Sequence, residues 1–498
     1  NRFNRLNLHR LTEWAARRLV LCSATDHFYD GHSSFMWVPQ LSDTSQPMYL
    51  SIADALARDI DSGVLNEGDR LPTLRELAGA LDVTPGTISR AYSEAHRRHL
   101  VRGEVGRGTY VLNRQLLELP TSNNAVALNL GQPELLDLSI IKPYSETLDY
   151  WLRGALVGMA RSTDFARALD YAPDGGHPAH RETGAQWLRH SLPDAQWQQV
   201  VITSGAQHGL MVAMSALTRA GDLVLCEALC YPGIISLAHG LERRLRGVPM
   251  DDEGIIPEAL RELCQREKPA MLICVATCQN PTAAIMSQQR RAQIAALAEE
   301  FDFIILDDDI YGFLATDPST KPLAAFAPDR SVYLTSLSKS IMPALRIGYL
   351  HSPPKLLSRL TSMVRSSVWM PSPLTAQLAS NVITEGLDKK LVRIQRNEAA
   401  ARQAIAQEIF ARFELKAQPY SYHVWLTLPE PWTSDEFTML ARANGVLVLS
   451  GSQFQAERSG TASRCVRLVL MSPTSQDELR FALTKLASLI DSDPRRFY

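Results

Sequence analysis

The sequence predicts an α/β chain in two parts. A small helical module closed by a hairpin comes first, then a large domain built on a mostly parallel sheet and ending in a smaller α+β lobe. Three observations carry this. Three short amphipathic helical segments and a glycine-bounded hairpin fall within residues 48–112. From Leu128 to about Leu489, short apolar runs alternate with helical stretches. The chain has 498 residues, 45% apolar and 21% charged, enough for several domains and a sizeable core.

Residues 1–47 fit neither part. They open on Asn1, carry five arginines within their first 18 positions, and are expected to be a poorly ordered or artefactual extension. From Met48 the pattern sharpens. Tyr49–Ser62 sets Ile52, Ala55, Leu56 and Ile60 on one face at helical spacing, and Gly63 ends that helix. Pro72-Thr73 opens a second helix over Leu74–Leu81. A connection, Asp82-Val83-Thr84, leads to a third helix from about Gly86 to His99, with Pro85 where a first-turn proline is tolerated. Val101–Arg102 and Thr109–Val111 read as two short strands around Gly103–Gly108. Together these outline a winged helix.

Net charge is −2, which argues against a uniformly basic nucleic-acid coat but not against a small DNA-binding module. Residues 48–82 carry three arginines against seven acids, whereas residues 83–112 carry five arginines against Glu94 and Glu104. The positive side is then the third helix and the wing, where phosphates would lie. The plainer alternative is a solvated helical face in a protein–protein module. The segment resembles the GntR-type winged helix–turn–helix through Ser62-Gly63, Gly68-Asp69-Arg70-Leu71-Pro72, Arg75-Glu76-Leu77-Ala78, Val83, Thr87, Ala91-Tyr92 and Gly106-Arg107-Gly108-Thr109-Tyr110-Val111. That resemblance implies a double-stranded DNA operator as partner, contacted by Arg70, Arg75, Thr84, Thr87, Arg90 and Arg107. Arg97-Arg98-His99 departs from it, since many relatives have a shorter, more acidic stretch there.

Residues 113–126, with Pro120-Thr121-Ser122-Asn123-Asn124, read as a short linker between this domain (48–112) and the large one (127–498). Strand candidates in the large domain are Val200–Thr203, Leu223–Cys226, Met271–Ala276, Phe303–Leu306 and Val332–Thr335. They are short, apolar and separated by helical stretches, as in a parallel sheet. Near residue 350 the pattern changes toward the smaller lobe. No apolar run reaches 18 residues, so no membrane helix is expected. The seven scattered cysteines read as free thiols of a reducing compartment. The pairs Cys226/Cys230 and Cys274/Cys278 read as core residues, and no metal site is expected.

In open α/β sheets, ligands bind beyond the carboxyl ends of strands, and four such ends carry polar clusters. Thr203-Ser204-Gly205-Ala206-Gln207 opens a helix with small residues suited to a phosphate. Cys278-Gln279-Asn280-Pro281-Thr282 is a polar turn. Leu306-Asp307-Asp308-Asp309-Ile310-Tyr311 sets three acids at the end of a buried strand, costly unless paired with a cation. Ser336-Leu337-Ser338-Lys339, with Arg346 seven residues on, offers an amine able to form a Schiff base, and hydroxyls and a guanidinium for a phosphate dianion. Each alone has an ordinary reading as turn chemistry or a solvated side chain. Together they describe one ligand carrying a phosphate, an aldehyde, a pyridinium and a phenolate oxygen, which is pyridoxal 5′-phosphate.

The order and spacing of these clusters resemble the fold-type I aminotransferases from about residue 128 to 489. The resemblance implies that Lys339 holds the cofactor as an internal aldimine and that Asp308 pairs with its ring nitrogen. Asn280 and Tyr311 would bond the ring oxygen, and Tyr231, in Cys230-Tyr231-Pro232-Gly233, would stack on the ring. Gly205, Ala206, Gln207, Ser336, Ser338 and Arg346 would hold the phosphate. Tyr171 would reach the phosphate of a partner subunit, which implies a head-to-tail homodimer. Arg467 would grip a substrate carboxylate beside Gly131, with Arg464 as a competitor for that role. Two residues depart from the family pattern: His180 stands where Leu usually precedes Arg181, and Ala283 where Gly usually follows Asn-Pro-Thr.

A GntR-type winged helix fused to an aminotransferase-like domain is the architecture of the MocR regulators, which the chain resembles over about nine-tenths of its length. That resemblance implies a cytoplasmic bacterial transcription regulator. An amine or amino acid effector, or the cofactor itself, would act through an aldimine at Lys339 and alter DNA affinity. One alternative is a catalytically active amino acid aminotransferase that carries a DNA-binding domain. Another is a constitutive repressor in which the cofactor is only a structural part.

Overall fold

The computed structural model describes residues 37–41, 47–66, 68–98, 100–104, 108–111, 135–145, 148–162, 165–315, 317, 320–457 and 462–492. The chain divides into two compact units between residues 119 and 120.

In the first unit, α1 (Met48–Asp61), α2 (Leu74–Leu81) and α3 (Pro85–Arg97) precede an antiparallel pair, β1 (Val101–Glu104) and β2 (Gly108–Val111). Local chemistry sets the helix ends. Gly63 follows the cap of α1 at φ 75°. Thr73 and Glu76 close a capping box at α2, a feature worth about 1 kcal/mol. Thr84 caps α3 by accepting the Thr87 N–H at 3.3 Å, with Pro85 in the first turn. Ile52, Leu56, Leu77, Ile88, Ala91 and Leu100 form the core, and the Tyr92 hydroxyl donates to the Pro72 carbonyl at 2.8 Å. One boundary moves. Trp37 is buried in this core, and its indole N–H donates to Asp59 at 2.8 Å. The unit's packing therefore reaches back to Trp37, within the segment 1–47 expected as a poorly ordered or artefactual extension. Residues 1–36 and 42–46, and the linker 113–126, lie outside the described residues.

The second unit places α4 (Pro178–Leu188), β3 (Val200–Thr203), α5 (Ala206–Leu217), β4 (Leu223–Glu227), α6 (Pro232–Gly240), β5 (Arg244–Val248), β6 (Pro269–Cys274), β7 (Ile304–Asp308), β8 (Ser331–Ser336) and β9 (Gly348–His351) in or against one sheet. Its strand order is β3-β9-β8-β7-β6-β4-β5. β9 runs antiparallel to both neighbours, and every other pair is parallel. The five apolar runs are all strands of this sheet. β5 and β9 escaped the sequence reading. β5 is an edge strand interrupted by Arg244 and Arg246, the charged composition that edges favour, and β9 is only four residues long. Alternation feeds both faces of the sheet: Leu306 and Val224 pack in one apolar cluster, Ile305 and Leu225 in another.

The smaller lobe follows α7 (Pro373–Thr384) and the 23-residue α8 (Leu387–Ile409). Its antiparallel sheet has the order β10 (Leu415–Lys416), β11 (His423–Thr427), β13 (Cys465–Val469), β12 (Leu449–Ser450). It packs over Phe410, Phe437 and Leu479. The six described cysteines are free thiols, five of them buried. Among the described residues, no helix is long and apolar enough to cross a membrane.

Candidate cofactor and DNA sites

β7 carries Asp307 and Asp308 to the carboxyl edge of the sheet, where alternation sends them to opposite faces. Asp307 Oδ2 accepts the Ala324 N–H at 2.8 Å, and Asp309 Oδ2 accepts the Tyr333 hydroxyl at 2.9 Å. Asp308 is 2% exposed, and its Oδ1 has no hydrogen-bond partner among the described residues. Burial, then the neighbouring Asp307, Asp309 and Glu227, pushes its carboxyl up to about 8. A cationic donor against Oδ1 would return it to the ionised form.

Lys339 follows β8, and its amine donates to the Ile141 carbonyl at 2.6 Å. Burial, then Arg467 and Arg346, pulls that amine down to about 8, with Asp308 acting the other way. An amine so depressed is a competent nucleophile near neutral pH. The Tyr422 hydroxyl donates to the Lys339 carbonyl at 3.0 Å and lies 3.3 Å from Gln395 Oε1.

Arg346 lies against the turn that opens α5. Gly205 sits at φ 83°, and a Cβ there would fall 2.7 Å from the guanidinium, so a side chain would displace it. The guanidinium donates to the Ser204 carbonyl at 3.3 Å. α5 begins at Ala206 without a side-chain cap, which leaves first-turn N–H groups for an anion. Nearby in sequence, Gln207 Oε1 and Ser338 Oγ are buried without partners among the described residues. Ser336 Oγ accepts the Ser338 N–H at 3.4 Å.

On the lobe side, one Arg467 terminal nitrogen donates to Asn280 Oδ1 at 2.8 Å, and the other donates to the Ser139 carbonyl. Its Nε is buried without a partner among the described residues. Burial pulls the guanidinium down to about 10, and it lies 4.9 Å from the centre of the Phe454 ring. Arg464, three residues earlier, instead makes a surface ion pair with Glu430 at 3.0 Å. Tyr311 is buried, its ring 6.1 Å from that of His423. His423 Nε2 lies 3.0 Å from the Gln279 carbonyl, and burial drives its imidazole down to about 3, so the ring is neutral and donates. Tyr231 bends back over the start of α6, where a Cβ on Gly233 would lie 2.2 Å from its ring. Its charged neighbours are Asp308, Arg467 and Arg346.

The structure thus brings Lys339, Asp308, Tyr311, Asn280, Tyr231, Arg346 and Arg467 together, with Gly205 beneath Arg346. Tyr171 stands apart, 75% exposed, its ring 6.3 Å from that of Trp369. Gly131 lies outside the described residues. Sequence reasoning missed Tyr422, His423 and Gln395. They come from the lobe and the long helix, and no local motif marks them. Of the two departures, Ala283 is buried at φ 61°, a conformation that favours glycine and costs other residues about 1 kcal/mol.

In the first unit, Arg90 on α3 is exposed and makes no hydrogen bond or ion pair among the described residues. Arg98 donates to Glu94 at 2.7 Å, and it also pairs with Asp54 on α1. Arg98 therefore ties two helices together, a correction to its place in the positive surface. Arg75 is exposed at the start of α2. Arg70 lies across the wing, where a Cβ on Gly108 would meet its Nε at 2.9 Å. The Thr84 and Thr87 hydroxyls lie 3.1 Å apart at the cap of α3. Arg107 lies outside the described residues.

Residues 133–486 match the family aminotransferase class I and II, and residues 48–111 match the bacterial regulatory proteins of the gntR family. The HTH-type transcriptional regulator YdeF of Bacillus subtilis is 26% identical over 91% of this chain and 97% of its own length. Aromatic-amino-acid aminotransferase 1 of Thermococcus litoralis is 27% identical over 77% of this chain and 92% of its own. The crystal structure of Pyrococcus horikoshii kynurenine aminotransferase matches 76% of this chain and 96% of that one, with a TM-score of 0.69 and 26% identity.

Proposed function

Because the chain belongs to the class I and II aminotransferase family and carries a gntR-family domain at residues 48–111, we propose that it is a transcription regulator whose DNA affinity answers to an amine or amino acid, or to the cofactor itself, bound at Lys339. The observation that carries this reading is the presence, in one chain, of a full set of groups suited to the cofactor and a winged helix with Arg75 and Arg90 turned to solvent. A regulator that matches over 91% of the chain supports it.

The cofactor of this domain is pyridoxal 5′-phosphate, which when bound supplies an aldehyde and an electron-withdrawing ring. The donor set fits it. The unpartnered Asp308 Oδ1 would pair with the ring N–H. Arg346, the first turn of α5, Ser336 and Ser338 would hold the phosphate, while Asn280 and Tyr311 would bond the ring oxygen and Tyr231 would cover its face. Lys339 Nζ would hold the aldehyde carbon and, once displaced by an incoming amine, take and return protons near neutral pH. Arg467, through its unpartnered Nε, would orient an effector by its carboxylate. Tyr171, turned outward, would serve the site of a second copy in a head-to-tail homodimer in the bacterial cytoplasm. An effector shifts DNA affinity only as far as it binds the two DNA-affinity states differently.

Binding to duplex from the protein's own upstream region, with and without cofactor and across a panel of amino acids, tests the proposal. Affinity that moves with the cofactor and with one amine supports it. Affinity indifferent to all of them reduces the cofactor to a structural part. The depressed amine of Lys339 and the free Nε of Arg467 also suit turnover as an amino acid aminotransferase. Sustained transfer from an amino donor to a 2-oxo acid would favour that second reading.

A further inference from the structure

His180 is only 6% exposed. Gln377 Nε2 donates to Asn381 Oδ1 at 2.8 Å, which turns Gln377 Oε1 toward His180 Nε2 at 2.9 Å. The imidazole proton therefore sits on Nε2, and Nδ1 is a buried atom with no partner among the described residues. Ser380 Oγ, on a residue 5% exposed, is likewise unpartnered. Both residues line a cavity of about 170 Å³ between α4, α7 and the turn Phe165–Leu169, with Arg167 and His177 also on its wall. His177 caps α4, and its ring lies 5.5 Å from that of His180. No carboxylate among the described residues lines the cavity, which shares no residue with the cofactor set.

We propose that this cavity binds a phosphate group, either as inorganic phosphate or as the phosphate of a small monoester. Buried polar atoms without partners are rare in folded proteins, and two of them on one cavity point to an occupant. Arg167 and the N-terminus of α4 give the wall positive character. Burial chiefly holds the His180 imidazole below its usual range, with Gln377 acting the other way and His177 and Arg167 adding to the depression. At neutral pH Nδ1 thus presents a lone pair. A hydrogenphosphate carries a proton that it can donate to this lone pair, while its other oxygens accept from Ser380 and Arg167. Sulfate matches the charge but brings no proton at neutral pH, so it leaves Nδ1 unmet.

Titration calorimetry of the cofactor-loaded protein, so that the Arg346 cradle is filled, tests this with inorganic phosphate, glycerol 3-phosphate and sulfate. The expected result is saturable binding of phosphate at one site, about tenfold or more tighter than sulfate, and weakened about tenfold or more in His180→Leu and in Ser380→Ala. Glycerol 3-phosphate binding as tightly would assign the monoester, and its failure to bind would assign free phosphate. Retained cofactor absorbance checks that each variant folds. In the wild type, a phosphate-dependent shift of the His180 Nδ1 nitrogen resonance reads the contact directly. No saturable phosphate binding, equal affinity for sulfate, or unchanged affinity in both variants would overturn the proposal.

Discussion

Replacing Asp308 separates the residue proposed to pair with the cofactor from the acids around it. Asp308 is buried near Asp307, Asp309 and Glu227, and its carboxyl is pushed up to about 8, against about 3.9 when unfolded. A carboxyl raised on folding keeps its proton in the folded state while the unfolded chain releases it. Cofactor-free protein therefore loses stability as pH rises from about 4 to about 8. At pH 7 the loss is at most about 4 kcal/mol. Asp308→Asn keeps the shape and removes the titration, so the cofactor-free variant should be more stable at pH 7 and flatter in its pH profile. Cofactor affinity should move the opposite way. Losing a buried charge partner costs about 3 kcal/mol or more, roughly two orders of magnitude in affinity. Asp307→Ala and Asp309→Ala should show the reverse pattern. Each strands a buried donor, the Ala324 N–H or the Tyr333 hydroxyl, and should cost about 1–3 kcal/mol of stability. Their effect on cofactor affinity should be smaller than that of Asp308→Ala. Cofactor titrations of the three alanine variants, with urea unfolding of cofactor-free Asp308→Asn between pH 5 and pH 8, make the comparison. Equal affinity losses at all three positions, or a wild-type pH profile for Asp308→Asn, would refute the reasoning.

Borohydride reduction followed by peptide mapping should place the cofactor on Lys339, and Lys339→Ala should lose the yellow colour; label on any other of the nine lysines would remove the site assignment. Arg90→Ala should cost about 1–3 kcal/mol at a specific duplex and little on random DNA, because Arg90 is exposed and makes no ion pair among the described residues. Arg107→Ala should weaken both duplexes and lower the salt slope by about one unit; no change in either variant would point to another DNA-binding surface. Light scattering should give a dimer, and Tyr171→Phe should weaken cofactor binding although the residue is exposed in its own subunit. A monomer that binds the cofactor tightly would contradict that.

What was legible in the sequence was chiefly local. Asp308 stands out from Asp307 by one step of strand alternation and by its three-residue spacing to Tyr311, and both are visible in a linear string. Thr73, Glu76 and Thr84 announce helix starts through capping chemistry that acts within three residues. Trp37 carries no such signal. Its burial depends on Asp59, 22 residues away, and on a core built from three helices. β5 failed for a related reason: an edge strand needs less apolar character than a central one, so its arginines hid it.

The same physical divide runs through the candidate site. Arg467 and Arg464 look alike as near neighbours in sequence, and the contacts that separate them are distant in sequence. Asn280 lies 187 residues from Arg467 and Ser139 lies 328 away, whereas Arg464 turns to Glu430 at the surface. Tyr422 and His423 escaped for want of any local pattern, because they reach Lys339 and Gln279 only when the lobe packs against the large sheet. The departures from the family pattern carry information of a different kind. Ala283 keeps the backbone conformation that a glycine would take and bears its strain, so the turn persists and only its energy changes. His180 sets a buried polar atom in the core that must find a partner. A substitution of the first kind leaves the chemistry of the fold alone, whereas one of the second kind alters what the fold can bind.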